Sequence, residues 1–499
     1  MTRAEFLKSV GTSVWAGTAS KRPNVLFLAV DDLRPELGAY GAEHVKSPRI
    51  DELARTGITF THAYCQQALC NPSRASLMTG LRPDTLRVWD LQTNFRTTVP
   101  NAVTIAQAFR ASGYYAACIG KIFHNIFPDD VSWSEPEMHV DGFPFDPDAV
   151  YRSDNDTRWI ESRKKQIIEQ GNEKRHIDRY GEWYLKSSAI EIADVPDNAY
   201  YDGAQTDTAI RKLGELSARK EPFFFGVGYY RPHLPFNAPK KYWDLYDRAA
   251  LPLSPNPFVP KNAPIMASNV NRELRGYRDF NRAPSPHEGS VSEGEARRLR
   301  HGYFASVSYV DAQIGRLLDE LDRLGIRDNT IVVLWGDHGW KLGDHNSWGK
   351  MTNYEIDTRV PLIMRVPSLA NGKRCAGLVE FVDVYPTLCD LCGVAKPAAL
   401  EGMSLKPLLQ DPKRKGKSAV FSQYLRNGIW TAPDGVEYMG YAIRTERHRY
   451  VEWFRWKDKH LAATELYDLR EDPLENECLQ GSAEIRKKLA DRLRKAFRI

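Results

Sequence analysis

A thiol, two carboxylate-bearing pairs and a few scattered cations carry the chemistry available to this chain. Cys70-Asn71-Pro72-Ser73-Arg74, running on to Thr79-Gly80-Leu81-Arg82-Pro83, sets the thiol just before a proline. Proline suits the first helical position because its missing N–H would be orphaned there. The string therefore predicts a helix start whose N-terminus, with Arg74 one turn on, favours an anion beside Cys70. A free, buried cysteine beside a helix has the same local appearance. Asp31-Asp32 and Asp337-His338 come next. Neighbouring carboxylates repel and need a cation or a proton between them. Side chains alternate along a strand, so Asp31 and Asp32 face one ion only where the chain is already turning. Oxygen ligands suit a hard divalent ion, Ca²⁺ or Mg²⁺, whereas zinc would draw more His or Cys. Taken singly, each pair also reads as loop capping. Lys121 and His124 follow Gly120, and Lys350 closes Asn346-Ser347-Trp348-Gly349-Lys350. His233 sits in Arg231-Pro232-His233-Leu234-Pro235-Phe236, where the prolines stiffen the loop. Each of these four is, alone, an ordinary surface or core residue; together they are candidates for holding an anion.

Such residues need a scaffold that gathers distant segments. Asn24–Val30 is a short unbroken apolar run, as expected for a strand buried on both faces, and it ends at Asp31. Tyr114–Gly120 leads to Lys121 and His124, Pro222–Tyr230 to Arg231 and His233, and Thr330–Trp335 to Asp337. Strands that deliver polar groups at their carboxyl ends are how open α/β sheets build sites. Helical patterning appears at Ile50–Thr56, Ala102–Ser112 and Ala305–Leu324, the last closing at Gly325. Phe381–Val394 reads as an amphipathic helix, which makes Cys389-x-x-Cys392 core packing sooner than a redox pair or half a zinc site. Pro128–Pro196 and Pro252–Glu295 break the alternation and read equally well as substrate loops or surface decoration. After a basic boundary at Asp411–Lys417 come strand-like Ala419–Leu425, Tyr441–Thr445 and Tyr450–Phe454, then a helix at Ala483–Phe497. The expected organisation is a tail or export signal over 1–21, an α/β body over 22–412 with a large, mostly parallel or mixed sheet flanked by helices, and a smaller α+β subdomain over 413–499.

Charged residues at 27% and hydrophobic ones at 42% exclude a disordered chain. A net charge of +5 over 499 residues gives no argument for nucleic acid, and no apolar run is long enough to span a bilayer. Seven scattered cysteines do not make a disulfide framework. Thr2-Arg3-Ala4-Glu5-Phe6-Leu7-Lys8 looks like a twin-arginine export motif with Ala4 in place of one arginine. The expectation is a periplasmic or secreted protein, with a cytoplasmic one as the alternative.

The string from Cys70 resembles the sulfatase signature, Cys-x-Pro-Ser-Arg followed by a Thr-Gly segment. The resemblance extends through Pro23–Leu26 to Asp31-Asp32, Gln66–Pro83, Gly120–His124, Gly228–Phe236, Gly336–Lys350, Val360–Ile363 and Leu466–Pro473. The chain is similar to the iduronate-2-sulfatase branch, within the alkaline-phosphatase superfamily. His338 narrows it to that branch, since many arylsulfatases carry Asn there. The resemblance implies an alkaline-phosphatase-like fold and one Ca²⁺ on Asp31, Asp32, modified Cys70, Asp337 and His338. It implies that Cys70 is oxidised to formylglycine by a formylglycine-generating or sulfatase-maturing enzyme. Arg74 would orient that group, Lys121, His233 and Lys350 would hold sulfate, and His124 would stand near the formylglycine hydroxyls. The expected reaction is hydrolysis of an O-sulfate ester on a sulfated carbohydrate, with a 2-O-sulfated uronic acid suggested by the branch. Trp340, Lys341 and Trp348 flank the Asp337 segment and read either as a sugar-binding wall or as loop packing. The alternatives are a phosphate or phosphonate monoester hydrolase of the same superfamily, and a catalytically silent, metal-stabilised carbohydrate-binding protein.

Overall fold

The computed structural model describes residues 22–124, 126–143, 150–177, 183–369 and 372–499; the expected export segment lies outside them. Strand β1 (Asn24–Val30) is buried along its whole length. It lies within an eight-stranded sheet with β2 (Ile58–Tyr64), β3 (Tyr115–Gly120), β4 (Phe223–Tyr229), β5 (Thr330–Gly336), β6 (Arg359–Arg365), β7 (Lys373–Cys375) and β8 (Val379–Glu380). The order is β7-β2-β6-β5-β1-β4-β3, with β8 also on β2. Strands β1, β3, β4 and β5 run parallel, and β6 runs antiparallel to β5 and β2, so the sheet is mixed.

Alternation along β1 sends Leu26, Leu28 and Val30 into one apolar layer and Val25, Phe27 and Ala29 into the other. The first layer holds the helices Pro48–Thr56, Tyr201–Ser217 and Glu293–Arg323; the second holds Cys70–Thr79, Ile105–Ala111 and Val384–Cys392. Helix Glu293–Arg323 starts well before Ala305, because a Ser292–Glu295 capping box sets its first turn in a charged stretch that apolar periodicity does not detect. All seven cysteines are buried and free, and Cys389 and Cys392 pack in the second layer.

Register levels the strand ends: Val30 pairs with Tyr229 and Gly336, and Gly120 with Gly228. The residues just past each of these strands therefore emerge at one rim. Two glycines make the tightest crossing possible. Gly120 has φ +72°, and a Cβ on Gly228 would fall 2.2 Å from the Lys121 backbone. Lys121 N donates to Gly228 O at 2.9 Å across that gap.

The segment 128–196 is more regular than expected, with a helix at Asp154–Glu169 and a strand at Ile190–Ala193 paired to Phe236–Pro239. Beyond it, β9 (Ala419–Arg426), β10 (Tyr438–Thr445), β11 (His448–Arg455) and β12 (Leu461–Asp468) form a second, antiparallel sheet covered by the helix Ala483–Phe497. Strand β12 escapes sequence-based expectation, because Leu461–Glu465 shows no apolar alternation. This sheet reaches the main rim. Ser422 Oγ donates to Cys65 O at 2.9 Å, Gln423 N donates to Gln66 O at 2.8 Å, and Tyr424 packs on Leu69 and Met351. Among the described residues no helix is long and apolar enough to cross a membrane.

Candidate active site

Past β1 the chain leaves extended geometry. Asp32 takes φ +59°, and both Asp31 and Asp32 bring a carboxylate close to Cys70. Cys70 is the first residue of the helix Cys70–Thr79, preceded by extended Leu69, so Pro72 stands third and not first. The cost of that difference is small, since the first four N–H groups of a helix lack intrahelical acceptors anyway. Its effect is to put the thiol itself on the helix N-terminus. Cys70 Sγ lies 3.4 Å from Asp31 Oδ1 and 3.3 Å from His338 Nε2.

Arg74 ties the strand ends together. Its Nε donates to Asp337 Oδ2 at 2.9 Å, its Nη2 reaches Asp31 Oδ1 at 3.3 Å, and its Nη1 donates to the carbonyls of Lys121 and Ile122. One planar guanidinium thus grips groups beyond β1, β3 and β5, a geometry Lys cannot copy. Asp337 Oδ1 accepts from the backbone N–H groups of Asp32 and His338, each at 3.0 Å. Lys121 Nζ donates to Asp31, and Lys350 Nζ to both oxygens of Asp32 at 2.7 and 3.0 Å. His233 Nε2 lies 2.9 Å from Glu273 Oε1, which also takes Lys350 Nζ at 3.2 Å.

Burial alone would raise the Asp31 carboxyl, but the Lys121 ammonium and Arg74 guanidinium hold it well below the usual range. For Asp32 burial prevails over Lys350 and His233 and pushes the carboxyl up to about 6. Burial, and then the Asp31 carboxylate, push the Cys70 thiol well above its ordinary value. Burial and Asp31 thus prevail over Lys350 and Lys121, and a thiol held protonated in this way is a poor nucleophile. Burial followed by Lys121 depresses the His124 imidazole. Burial would raise Glu273 too, yet Lys350 and His233 keep it below the carboxylate range.

The metal expectation meets a fitting donor set. Asp31, Cys70, Asp337 and His338 offer ligand atoms all within 4.8 Å of one another; Asp32, Cys70 and His233 form a second such group. Asp32 stands beside the four-residue cluster, with its Oδ1 3.4 Å from His338 Nδ1. Three buried carboxylates gathered at one point suit a hard divalent cation.

A cavity of about 350 Å³ opens onto Cys70, walled by Lys121, His124, His233, Glu273 and Lys350. A larger one, about 730 Å³, lies beside Ser47, Arg55 and Arg374 and contains none of the chemistry. His124 stands on the Cys70 wall with Nδ1 unpartnered, and no hydrogen bond links it to Cys70 among the described residues. The sugar-wall reading of Trp340, Lys341 and Trp348 needs correction. None of the three lines this cavity, and they are 1%, 0% and 3% exposed. Lys341 Nζ is spent on Asp357 and Thr352, and Trp340 packs edge-on against Phe236 and lies under the Lys350 ammonium. In their place the cavity takes Lys186, Arg272 and Glu273, none of them singled out by sequence. They belong to the two irregular segments, where no strand end or motif marks one polar residue above its neighbours.

The sulfatase family profile matches residues 23–394, and the profile for the N-sulphoglucosamine sulphohydrolase C-terminal region matches residues 343–498. Iduronate 2-sulfatase of Mus musculus is 32% identical, over 94% of this chain and 93% of its own length. A solved structure in complex with its substrate D-glucosamine-2-N,6-O-disulfate aligns with a TM-score of 0.72 at 22% identity, covering 96% of this chain and 98% of that one. The phosphonate monoester hydrolase of Agrobacterium radiobacter aligns with a TM-score of 0.69 at 25% identity over 95% of each chain. The expected alkaline-phosphatase-like α/β fold is therefore met.

Proposed function

From the premise that this chain belongs to the sulfatase family and is a sulfuric ester hydrolase, we propose that it removes an O-sulfate group from a sulfated sugar, using position 70 as formylglycine and one calcium ion. The observation that carries this reading is the convergence of Asp31, Asp337 and His338 on Cys70 at the floor of a cation-walled cavity. Similarity to iduronate 2-sulfatase favours a 2-O-sulfated uronic acid as the sugar.

Asp31, Asp32, Asp337, His338 and position 70 would hold the calcium, which when bound neutralises sulfate oxygens and polarises the ester. A hydrated aldehyde at position 70 supplies two hydroxyls, one to attack sulfur and one to release sulfate afterwards; a thiol or a serine lacks the second. The remaining work falls to ordinary side chains. Arg74 fixes the Asp31 and Asp337 carboxylates against each other. Lys121 and Lys350 donate to the sulfate oxygens, where preorganised charge is worth most. His233, held through Nδ1 on Leu234 O, turns its Nε2 proton from Glu273 to the departing sugar oxygen. His124, with its free Nδ1, accepts one from position 70.

Mass spectrometry of the peptide across Cys70 from active protein is expected to find an aldehyde in place of the thiol. An intact thiol in fully active enzyme overturns the nucleophile. The likeness to a phosphonate monoester hydrolase favours a second reading, a phosphorus ester. Turnover of an aryl sulfate well above that of the matching aryl phosphate and phosphonate decides against it.

A further inference from the structure

We propose that Lys186 and Arg272 form a second anion subsite at the mouth of the cavity, and that the preferred substrate carries a further acidic group, a carboxylate or a second sulfate, beside the ester that is cleaved. This rests on the sulfatase reading above. The inner cations are engaged: Lys121 with Asp31, Lys350 with Asp32 and Glu273, and Arg74 with Asp31 and Asp337. Lys186 and Arg272 line the same cavity, and neither has a carboxylate within ion-pair distance among the described residues, although the Lys186 charge is felt by Glu273. The Lys186 ammonium lies 5.1 Å from the ring centre of Tyr277 and 6.0 Å from that of Tyr184, and the Arg272 side chain is exposed. Glu273 is the one acid on that wall among the described residues, and its Oε1 is already shared by His233 and Lys350.

A lone exposed Lys or Arg is usually just solvated. Here two come from separate segments, 128–196 and 252–295, to one opening above a floor arranged for an anion. A concave wall on which Lys121, Lys186, Arg272 and Lys350 outnumber Glu273 concentrates a positive field inside it, and a guanidinium and an ammonium on one cavity wall suit a carboxylate or a sulfate through charge-assisted hydrogen bonds. One sulfate ester can satisfy the inner set; the outer pair calls for another anion on the same molecule.

The test compares kcat/KM on three disaccharides bearing the same sulfate ester, one with a carboxylate, one with a second sulfate and one with neither. Wild type is expected to prefer one acidic sugar over the neutral one by roughly tenfold or more, and which one it prefers identifies the group. The double variant Lys186→Met/Arg272→Met is expected to lose most of that preference through KM, while Lys186→Arg keeps it. Absence of any preference in wild type, or a preference unchanged in the double variant, overturns the subsite and leaves the sulfatase reading standing. No sulfate release from any of the three by protein converted at position 70 overturns that reading, and this inference with it.

Discussion

Arg74 holds the site at the level of single residues. It is fully buried and satisfies two carboxylates from different strand ends. Arg74→Lys keeps the charge but loses the fork, so that one side chain no longer holds Asp31 and Asp337 at once. The expected result is a fall in kcat of about 10²–10³, the range seen when one preorganised donor is lost. Removing the charge outright, as in Arg74→Met, is expected to destabilise the fold by about 3–5 kcal/mol, the usual result of stranding a buried ion; urea unfolding checks it. Glu273 is the subtler case. Its Oε1 faces both His233 and Lys350, so Glu273→Gln weakens the orientation of one and the charge balance of the other. We expect kcat to drop roughly tenfold to a hundredfold, within the reach of general acid–base effects, with a smaller change in KM and a shifted pH–rate profile. An altered KM at constant kcat argues instead for simple substrate contact.

Between elements, Asp311 of the long helix Glu293–Arg323 accepts from the first turn of the helix Pro48–Thr56. Its Oδ1 takes Ile50 N at 2.7 Å and Arg49 N at 3.0 Å. Burial pushes this carboxyl up to about 7, against the pull of those two N–H groups. An acid whose folded pKa exceeds its unfolded value, about 3.9, stabilises the fold fully below that lower value and loses the contribution as pH rises through the higher one. Stability is therefore expected to decline between about pH 4 and 7 on account of this group. Asp311→Asn keeps an acceptor and should flatten that slope; denaturant melts at pH 5, 6.5 and 8 measure it. Such a contact, spanning 261 residues, leaves no trace in local pattern. By contrast β1, β3, β4 and β5 were legible because buried parallel strands are continuous apolar runs and each ends at a polar group. Lys350 was legible only through its place after Asp337; nothing local says that it is buried on Asp32. The loop acid Glu273 and the cations Lys186 and Arg272 were not legible, since they reach the cavity through tertiary folding of irregular segments. For Trp340 and Lys341 the sequence left sugar wall and loop packing open for a related reason: closeness to the site in sequence does not decide which way a side chain points, and here both pack.

For the molecule as a whole, three carboxylates share one buried region with His338 and Cys70, so metal and fold are expected to be coupled. A ligand bound only by the native state at a hundredfold excess over its Kd stabilises by about 2.7 kcal/mol. Chelation is expected to lower Tm and added calcium to restore it; an unchanged Tm rejects the metal site. The second sheet joins this coupling, because β9 pins Cys65 and Gln66 just ahead of the helix Cys70–Thr79. Every one of that helix's ten residues is buried, and this has a consequence in time. An enzyme that rewrites the Cys70 side chain must read its flanking residues, and the folded chain offers none of them. Conversion and folding are then rival fates of the newly made polypeptide. On the proposed formylglycine reading, a chain that folded first would keep its thiol, and the active fraction of a preparation would be decided before the helix Cys70–Thr79 is buried.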